Sequence, residues 1–110
     1  MKELTKTEEL VLLSILRLDE EAYGVSIKGQ IEQTTGKSYP YGTLYFILDQ
    51  LTQKGLVERK KGAPTPERGG RSKTYYRLTS EGRDSLNRAF ELQKKTWNGY
   101  ASIKYKEADK

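Results

Sequence analysis

The 110-residue chain contains no cysteine and no histidine. Without cysteine there is neither a disulfide framework nor a thiolate nucleophile, and a cytosolic (cytoplasmic) setting is the default expectation. Without histidine the Ser-His and Cys-His nucleophile pairs and the commonest metal ligand are gone. A carboxylate-only site would need paired acids, whereas Asp and Glu are scattered through helix surfaces and caps. No enzymatic activity, metal site or cofactor is therefore expected. Long hydrophobic runs are missing as well. The longest apolar patch, "LVLLSIL" at residues 10–16, is broken by Ser14 and flanked by charge. It falls short of the roughly 18 residues that a membrane span needs. The N-terminus has no signal-peptide pattern, so no membrane association is expected.

What the chain does have is positive charge, unevenly placed. The net charge is +5, but residues 1–53 carry 5 basic and 8 acidic side chains, while residues 54–77 carry 8 and 2. Residues 78–110 carry 7 and 5. An excess focused in one short segment points to a polyanion contact, the plain alternative being a solvated basic loop. The length suits one domain with at most a short appendage.

Helical periodicity appears first in "TKTEELVLLSILRLD", where Thr5 and Glu8 have the spacing of a capping box. This helix is apolar nearly all round, so it is expected between other elements. A second helix is expected from about Ala22 to Thr35, with Gly36 as its left-handed cap. Gly24 and Gly29 inside it suggest close packing, because each costs about 1 kcal/mol relative to alanine. "YPYGTLYFIL", residues 39–48, opens a third helix with Ser38 or Tyr39 at the cap and Pro40 in the first turn. Leu44, Ile47, Leu48 and Leu51 form its buried face, and Lys54-Gly55 ends it. "LVERKK" and "TYYRL" read as strands around the loop "GAPTPERGGRSK". Thr79 then caps a last helix, and Asn98-Gly99 is expected to end it, leaving a frayed basic tail.

Three helices, a two-stranded hairpin and a further helix describe a mainly α (α+β) winged helix-turn-helix. The connection "GKSYP" has the shortness and the glycine that the motif requires. Residues 1–78 are expected to form this domain, and residues 79–110 a C-terminal dimerisation helix with a short tail. In such a fold the third helix enters the major groove with its N-terminal residues toward base edges. Tyr41, Thr43 and Tyr45 lie on or beside that leading edge, where hydroxyls reach phosphates or bases and rings cover methyls and sugars.

Gly42, Phe46, Asp49 and Gln53 lie opposite the buried face. Phe46 either packs on thymine methyls or leans onto the wing or Tyr41. Asp49 would repel phosphates, so only the first turn and a half of the helix is expected near a duplex. Lys37 and Lys28 are placed to clamp a phosphate, with Tyr39 beside them. In the wing, Arg68, Gly69, Gly70, Arg71 and Lys73 make a compact basic tip, a form suited to a narrow minor groove. Lys60, Lys61 and Arg59 supply general electrostatics.

Leu86, Phe90, Gln93, Trp97 and Tyr100 are spaced as a short heptad seam. The seam runs beyond what a winged domain of this size covers, so it needs a second copy of the chain, unless the helix folds back on its own first helix.

Three blocks, "AYGVSI", "GTLYFILDQLTQKGLVE" and "GGRSKTYYRLTSEGRDSL", resemble the PadR-like transcriptional regulators over about residues 4–90. The resemblance implies a homodimer on a pseudo-palindromic operator in double-stranded DNA, usually acting as a repressor. It implies dimerisation through the C-terminal helix, often against the partner's first helix. Tyr45 belongs to the family's "TLY", and by that analogy it is expected to be half-buried with a mostly structural role. Phe46 departs from the pattern, since the family often has proline there. Some small members hold flat aromatic ligands between paired tryptophans. Trp97, with Phe90 and Gln93, is therefore either the wall of a site for a small planar aromatic effector or a structural interface residue. The competing reading of the whole chain is a winged-helix protein-interaction module whose basic wing meets an acidic partner without specific DNA binding.

Overall fold

The computed structural model describes residues 3–62 and 73–108, with side chains to residue 104. Helix α1 (Lys6–Leu18) begins at the expected capping box: the Glu8 N–H donates to Thr5 Oγ1 at 3.1 Å, and the Thr5 N–H to Glu8 Oε1 at 2.9 Å. A 3-10 turn (Asp19–Glu21) leads to α2 (Gly24–Thr35), which ends at left-handed Gly36. Helix α3 (Tyr41–Gln53) follows, then strands β1 (Val57–Lys61) and β2 (Thr74–Leu78). Helices α4 (Ser80–Thr96) and α5 (Tyr100–Ala108) complete the chain.

The strands pair antiparallel, with Val57 opposite Leu78 and Arg59 opposite Tyr76. The architecture is a winged helix-turn-helix. One hydrophobic cluster joins Val11, Leu12 and Ile15 of α1 to Ile27 and Ile31 of α2 and to Leu44, Leu48 and Leu51 of α3. Leu56, Val57, Tyr76 and Leu78 close it from the wing side. Full burial of side chains of this kind is worth about 1.5–3 kcal/mol each, and their summed burial holds the three helices and the wing as one body.

Several boundaries differ from the sequence expectation, each for a local reason. Ala22 and Tyr23 are extended rather than helical: the Tyr76 N–H donates to the Ala22 carbonyl at 2.8 Å, and Tyr23 bridges Tyr75. They act as a stub of third strand beside β2, and the Tyr23 N–H is satisfied by Ser26 Oγ at 2.9 Å. Pro40 is the N-cap of α3 and not a first-turn residue, since its ψ of 148 is extended and helical geometry starts at Tyr41. The α1 helix is not enclosed all round. Its outer side leaves Leu13 and Leu16 43% and 41% exposed.

The C-terminal region departs most. Leu86, expected on the intermolecular seam, is buried in the chain's own cluster. Beyond it, every residue from Phe90 to Lys104 is exposed. Asn98-Gly99 only interrupts the helix. Gly99 has φ +78, and the chain re-forms helix in α5, where the Ile103 N–H donates to the Gly99 carbonyl at 3.1 Å. The molecule is accordingly elongated, 63 × 29 × 21 Å.

Candidate nucleic-acid interface

Helix α3 buries Leu44, Leu48 and Leu51, with Ile47 half-buried, as the sequence predicts. At about 100° per residue, Gly42, Phe46, Asp49 and Gln53 are left facing outward, and all four are exposed. Phe46 is the most open of the helix's large hydrophobic side chains, 61% exposed. Tyr41 and Tyr45 run along one flank with their rings stacked, centroids 6.2 Å apart. Thr43 is exposed on the opposite flank.

Tyr45 is held from below by an absence. A Cβ on Gly24 would stand 2.1 Å from the Tyr45 hydroxyl oxygen, so only glycine lets α2 approach the ring this closely. The expectation of close packing is met at Gly24. It fails at Gly29, where an added Cβ meets nothing within 4 Å.

The residues before α3 are more engaged than single surface lysines usually are. Lys28 Nζ donates to Glu32 Oε1 at 2.6 Å and to Ser38 Oγ at 2.9 Å, and Ser38 Oγ donates to Glu32 at 2.7 Å. The same ammonium lies 5.5 Å from the Tyr41 ring centroid. Bonds from Lys28 and from Ser38, with the lysine's charge, hold the Glu32 carboxyl below its ordinary range. Lys28 thus fastens the turn between α2 and α3 instead of standing ready beside Lys37, which is exposed. Tyr39 is half-buried against the core, so its ring is chiefly packing.

On the wing, Val57 is buried while Glu58, Arg59, Lys60 and Lys61 are exposed. Arg59 forms an ion pair with Asp49 of α3, and its charge also bears on the Tyr76 hydroxyl. Burial pushes that hydroxyl's pKa up, Tyr45 and Asp49 add to the effect, and Arg59 opposes it. The acid expected to repel phosphates is therefore matched by a wing cation. Arg77 pairs with Glu58 across the strands at 2.5 Å. Lys73 sits 4.1 Å from the centre of the Tyr23 ring, which in turn meets Tyr75 edge-on at 5.6 Å. Arg68, Gly69, Gly70 and Arg71 lie outside the described residues.

Neither the Asp49–Arg59 tie nor the Gly24–Tyr45 contact is expected from sequence. Opposite charges ten residues apart in different elements give no periodic signal. The "AYGVSI" block marks the glycine without naming its neighbour.

The pattern of the transcriptional regulator PadR-like family matches residues 12–88, from mid-α1 to mid-α4. The chain belongs to this family. Among solved structures, PadR-like chains and their relatives share the fold. H. salinarum RosR is 28% identical, with 98% of this chain and 94% of RosR covered at a TM-score of 0.67. A PadR family transcription regulator from Clostridium difficile is 25% identical, covering 92% and 97% at 0.61. At 20% identity the PadR-like transcriptional regulator of Bacillus cereus shares the fold, over 94% and 92%, at 0.66. The comparison with curated proteins found no match. No helix among the described residues is long and apolar enough to cross a membrane.

A second surface of this PadR-like chain is apolar. Phe90, Trp97, Tyr100 and Ile103 are exposed along α4 and α5, and the Trp97 and Tyr100 rings stand 5.0 Å apart. Trp97 and Gln93 also line an open groove of about 420 Å³ between the start of α1 and α4, with Leu4, Glu9, Ser85 and Leu92. Phe90 is not part of that groove's lining; Lys94 Nζ lies 5.1 Å from its ring centroid.

Proposed function

We propose that this chain is a sequence-specific DNA-binding regulator that acts as a homodimer and represses by occupying a pseudo-palindromic operator. One observation carries the reading. Helix α3 presents Phe46 on its outward face and Tyr41, Tyr45 and Thr43 on its flanks, beside a wing strand bearing exposed Lys60 and Lys61 and the Asp49-paired Arg59. Side chains for base edges thus stand next to cations for phosphates, the division of labour a duplex requires. With Asp49 matched by Arg59, the outward face of α3 offers no unpaired anion to the backbone. In this reading residues 1–78 bind DNA, with Lys37 and the Arg68–Arg71 segment adding phosphate contacts. Residues 79–110 join two copies through Phe90, Gln93, Trp97 and Tyr100.

Selection of duplexes from a random pool, followed by titration at several salt concentrations, tests this. A recurring two-fold consensus is expected, with affinity falling steeply as salt rises, by about 0.9 in log–log slope for each phosphate neutralised. Equal affinity for selected and random duplexes would leave the protein-interaction reading in its place. A reporter placed behind the selected site separates repression, expected as reduced expression, from activation.

The groove at Trp97 supports a second element of the reading, a planar aromatic effector. A flat ring could enter beside the indole, where Leu4 and Leu92 are apolar and Gln93 and Ser85 offer hydrogen bonds. Fluorescence of Trp97, the chain's single tryptophan, reports such binding directly.

A further inference from the structure

We infer that Phe46 reads thymine: its ring contacts the C5 methyl group in the major groove and fixes a thymine in each half-site. The inference rests on the DNA-binding reading and adds a specificity determinant to it.

Phe46 lies at the centre of the outward face of α3, and its exposure is 61%. The aromatic stacking on this helix is between Tyr41 and Tyr45, on the neighbouring flank. A phenylalanine in this place contributes little to the stability of the isolated chain, because most of its ring remains in water.

Its surroundings define what it would recognise. Gly42 lies one helical turn before Phe46 on the same outward face. Gly42 has no side chain, and a Cβ built there meets nothing within 4 Å. Thr43, three residues before Phe46, adds a methyl group on the adjacent edge and is exposed. One turn further on, the Asp49 carboxylate is ion-paired with Arg59 of the wing. What remains on this part of α3 is an exposed apolar ring, open space at Gly42 and an exposed threonine.

Among the groups that base pairs present in the major groove, the thymine C5 methyl is the apolar one. A ring without donor or acceptor favours that methyl over the C5 hydrogen of cytosine and over purine edges. The wing strand that carries exposed Arg59, Lys60 and Lys61 reaches α3 through the Asp49–Arg59 pair, one turn from Phe46, and a basic strand favours a polyanion as the occupant over a neutral protein surface.

The experiment replaces single thymines of the selected operator by deoxyuridine, which removes the methyl and leaves every hydrogen-bonding group. For the wild-type chain, a single substitution is expected to weaken binding about fourfold, the worth of one buried methyl, and the matching substitution in both half-sites about fifteenfold. Phe46→Ala is expected to weaken binding to the thymine operator by a similar factor and to be indifferent to uracil at that position. Its melting temperature should match the wild type, since the residue is exposed. Phe46→Leu should keep the thymine preference. 5-Methylcytosine placed at the same position should recover part of the affinity that cytosine loses. A consensus whose thymines all tolerate uracil, or a Phe46→Ala variant equally sensitive to uracil, overturns the inference and leaves the DNA-binding reading standing. A selection that yields no consensus overturns both.

Discussion

Asp49 on α3 and Arg59 on β1 form an ion pair that fastens the outward face of the third helix to the wing. The pair links the two elements proposed to touch DNA, which the shared core already packs together, and it matches the one acid on that face with a cation. Both side chains are about half exposed, so the pair is worth at most about 1 kcal/mol of stability. Its influence on binding should be larger and of opposite sign for the two partners. Asp49→Asn removes a negative charge facing phosphates and should strengthen binding to random duplex. Arg59→Ala should weaken binding and lower the log–log salt slope by about 0.9 if one phosphate contact is lost. A double-mutant cycle in urea, with affinities at two salt concentrations, measures both.

The Gly24 contact gives a prediction in which fold and function separate. A Cβ at this position would meet the Tyr45 hydroxyl at 2.1 Å and the ring carbon behind it at 2.8 Å. These atoms are the far end of a side chain already 42% exposed, so the ring can swing away rather than force the helices apart. Gly24→Ala should leave the melting temperature within a few degrees of wild type, because the better helix propensity of alanine offsets the displaced ring. Affinity for the selected operator should fall, while binding to random duplex changes little. Gly24→Ala combined with Tyr45→Phe, which deletes the clashing oxygen, should recover part of the loss. Comparison of the two variants by fluorescence anisotropy decides it.

Glu8 links acid stability to the packing of α1 on α3. Its buried carboxylate accepts from Lys54 Nζ at 2.5 Å and from the Thr5 N–H at 2.9 Å. Burial alone would raise its pKa. The Lys54 ammonium and the Thr5 donors outweigh burial and hold the carboxyl below its ordinary range. The folded state therefore releases this proton more readily than the unfolded chain. The associated stability is fully present above the unfolded pKa of about 4.3 and is lost as pH falls through the lower folded value. Glu8→Gln should flatten that acid limb. Lys54→Met, which leaves a buried carboxylate without its cation, should cost about 1–3 kcal/mol at neutral pH. Urea midpoints measured from pH 7 to pH 3 check both.

What was legible in the sequence follows from the range of each signal. Capping boxes, the buried face of α3 and the strand patterns are local, and Thr5–Glu8, Leu44–Leu51 and "TYYRL" declare them within a few residues. The site was visible as a face, through the position of Phe46 opposite Leu44, but its couplings were not. Arg59 finds Asp49, Tyr45 finds Gly24 and Lys54 finds Glu8 only after the chain has folded. Ala22 and Tyr23 misled for the same reason: their strand partner is β2, some fifty residues away. Leu86 shares its heptad spacing with Phe90 and Trp97, and periodicity alone could not separate a core position from an exposed one.

The exposed ridge on α4 and α5 yields the last prediction. Phe90 and Trp97 are each 59% exposed, and Leu13 and Leu16 leave a second apolar strip on α1. A single copy leaves both strips in water, whereas two copies related by a two-fold axis could cover each ridge with the other's α1 or α4. Trp97, the largest side chain on the ridge, should then be an energetic centre of the interface, worth about 2 kcal/mol or more when truncated. Trp97→Ala is expected to weaken self-association by roughly thirtyfold. The wild type should scatter light as a dimer at micromolar concentration, and the variant as a mixture containing monomer. Operator affinity should fall with it, because a monomer holds one half-site only. Leu86→Ala should behave differently, since that side chain is buried within its own chain. It should lower the melting temperature by removing core packing, with dimerisation following only as the fold is lost. A Trp97→Ala variant that remains dimeric would move the interface off this ridge, and the indole would then be left to the groove it lines with Gln93 and Leu4.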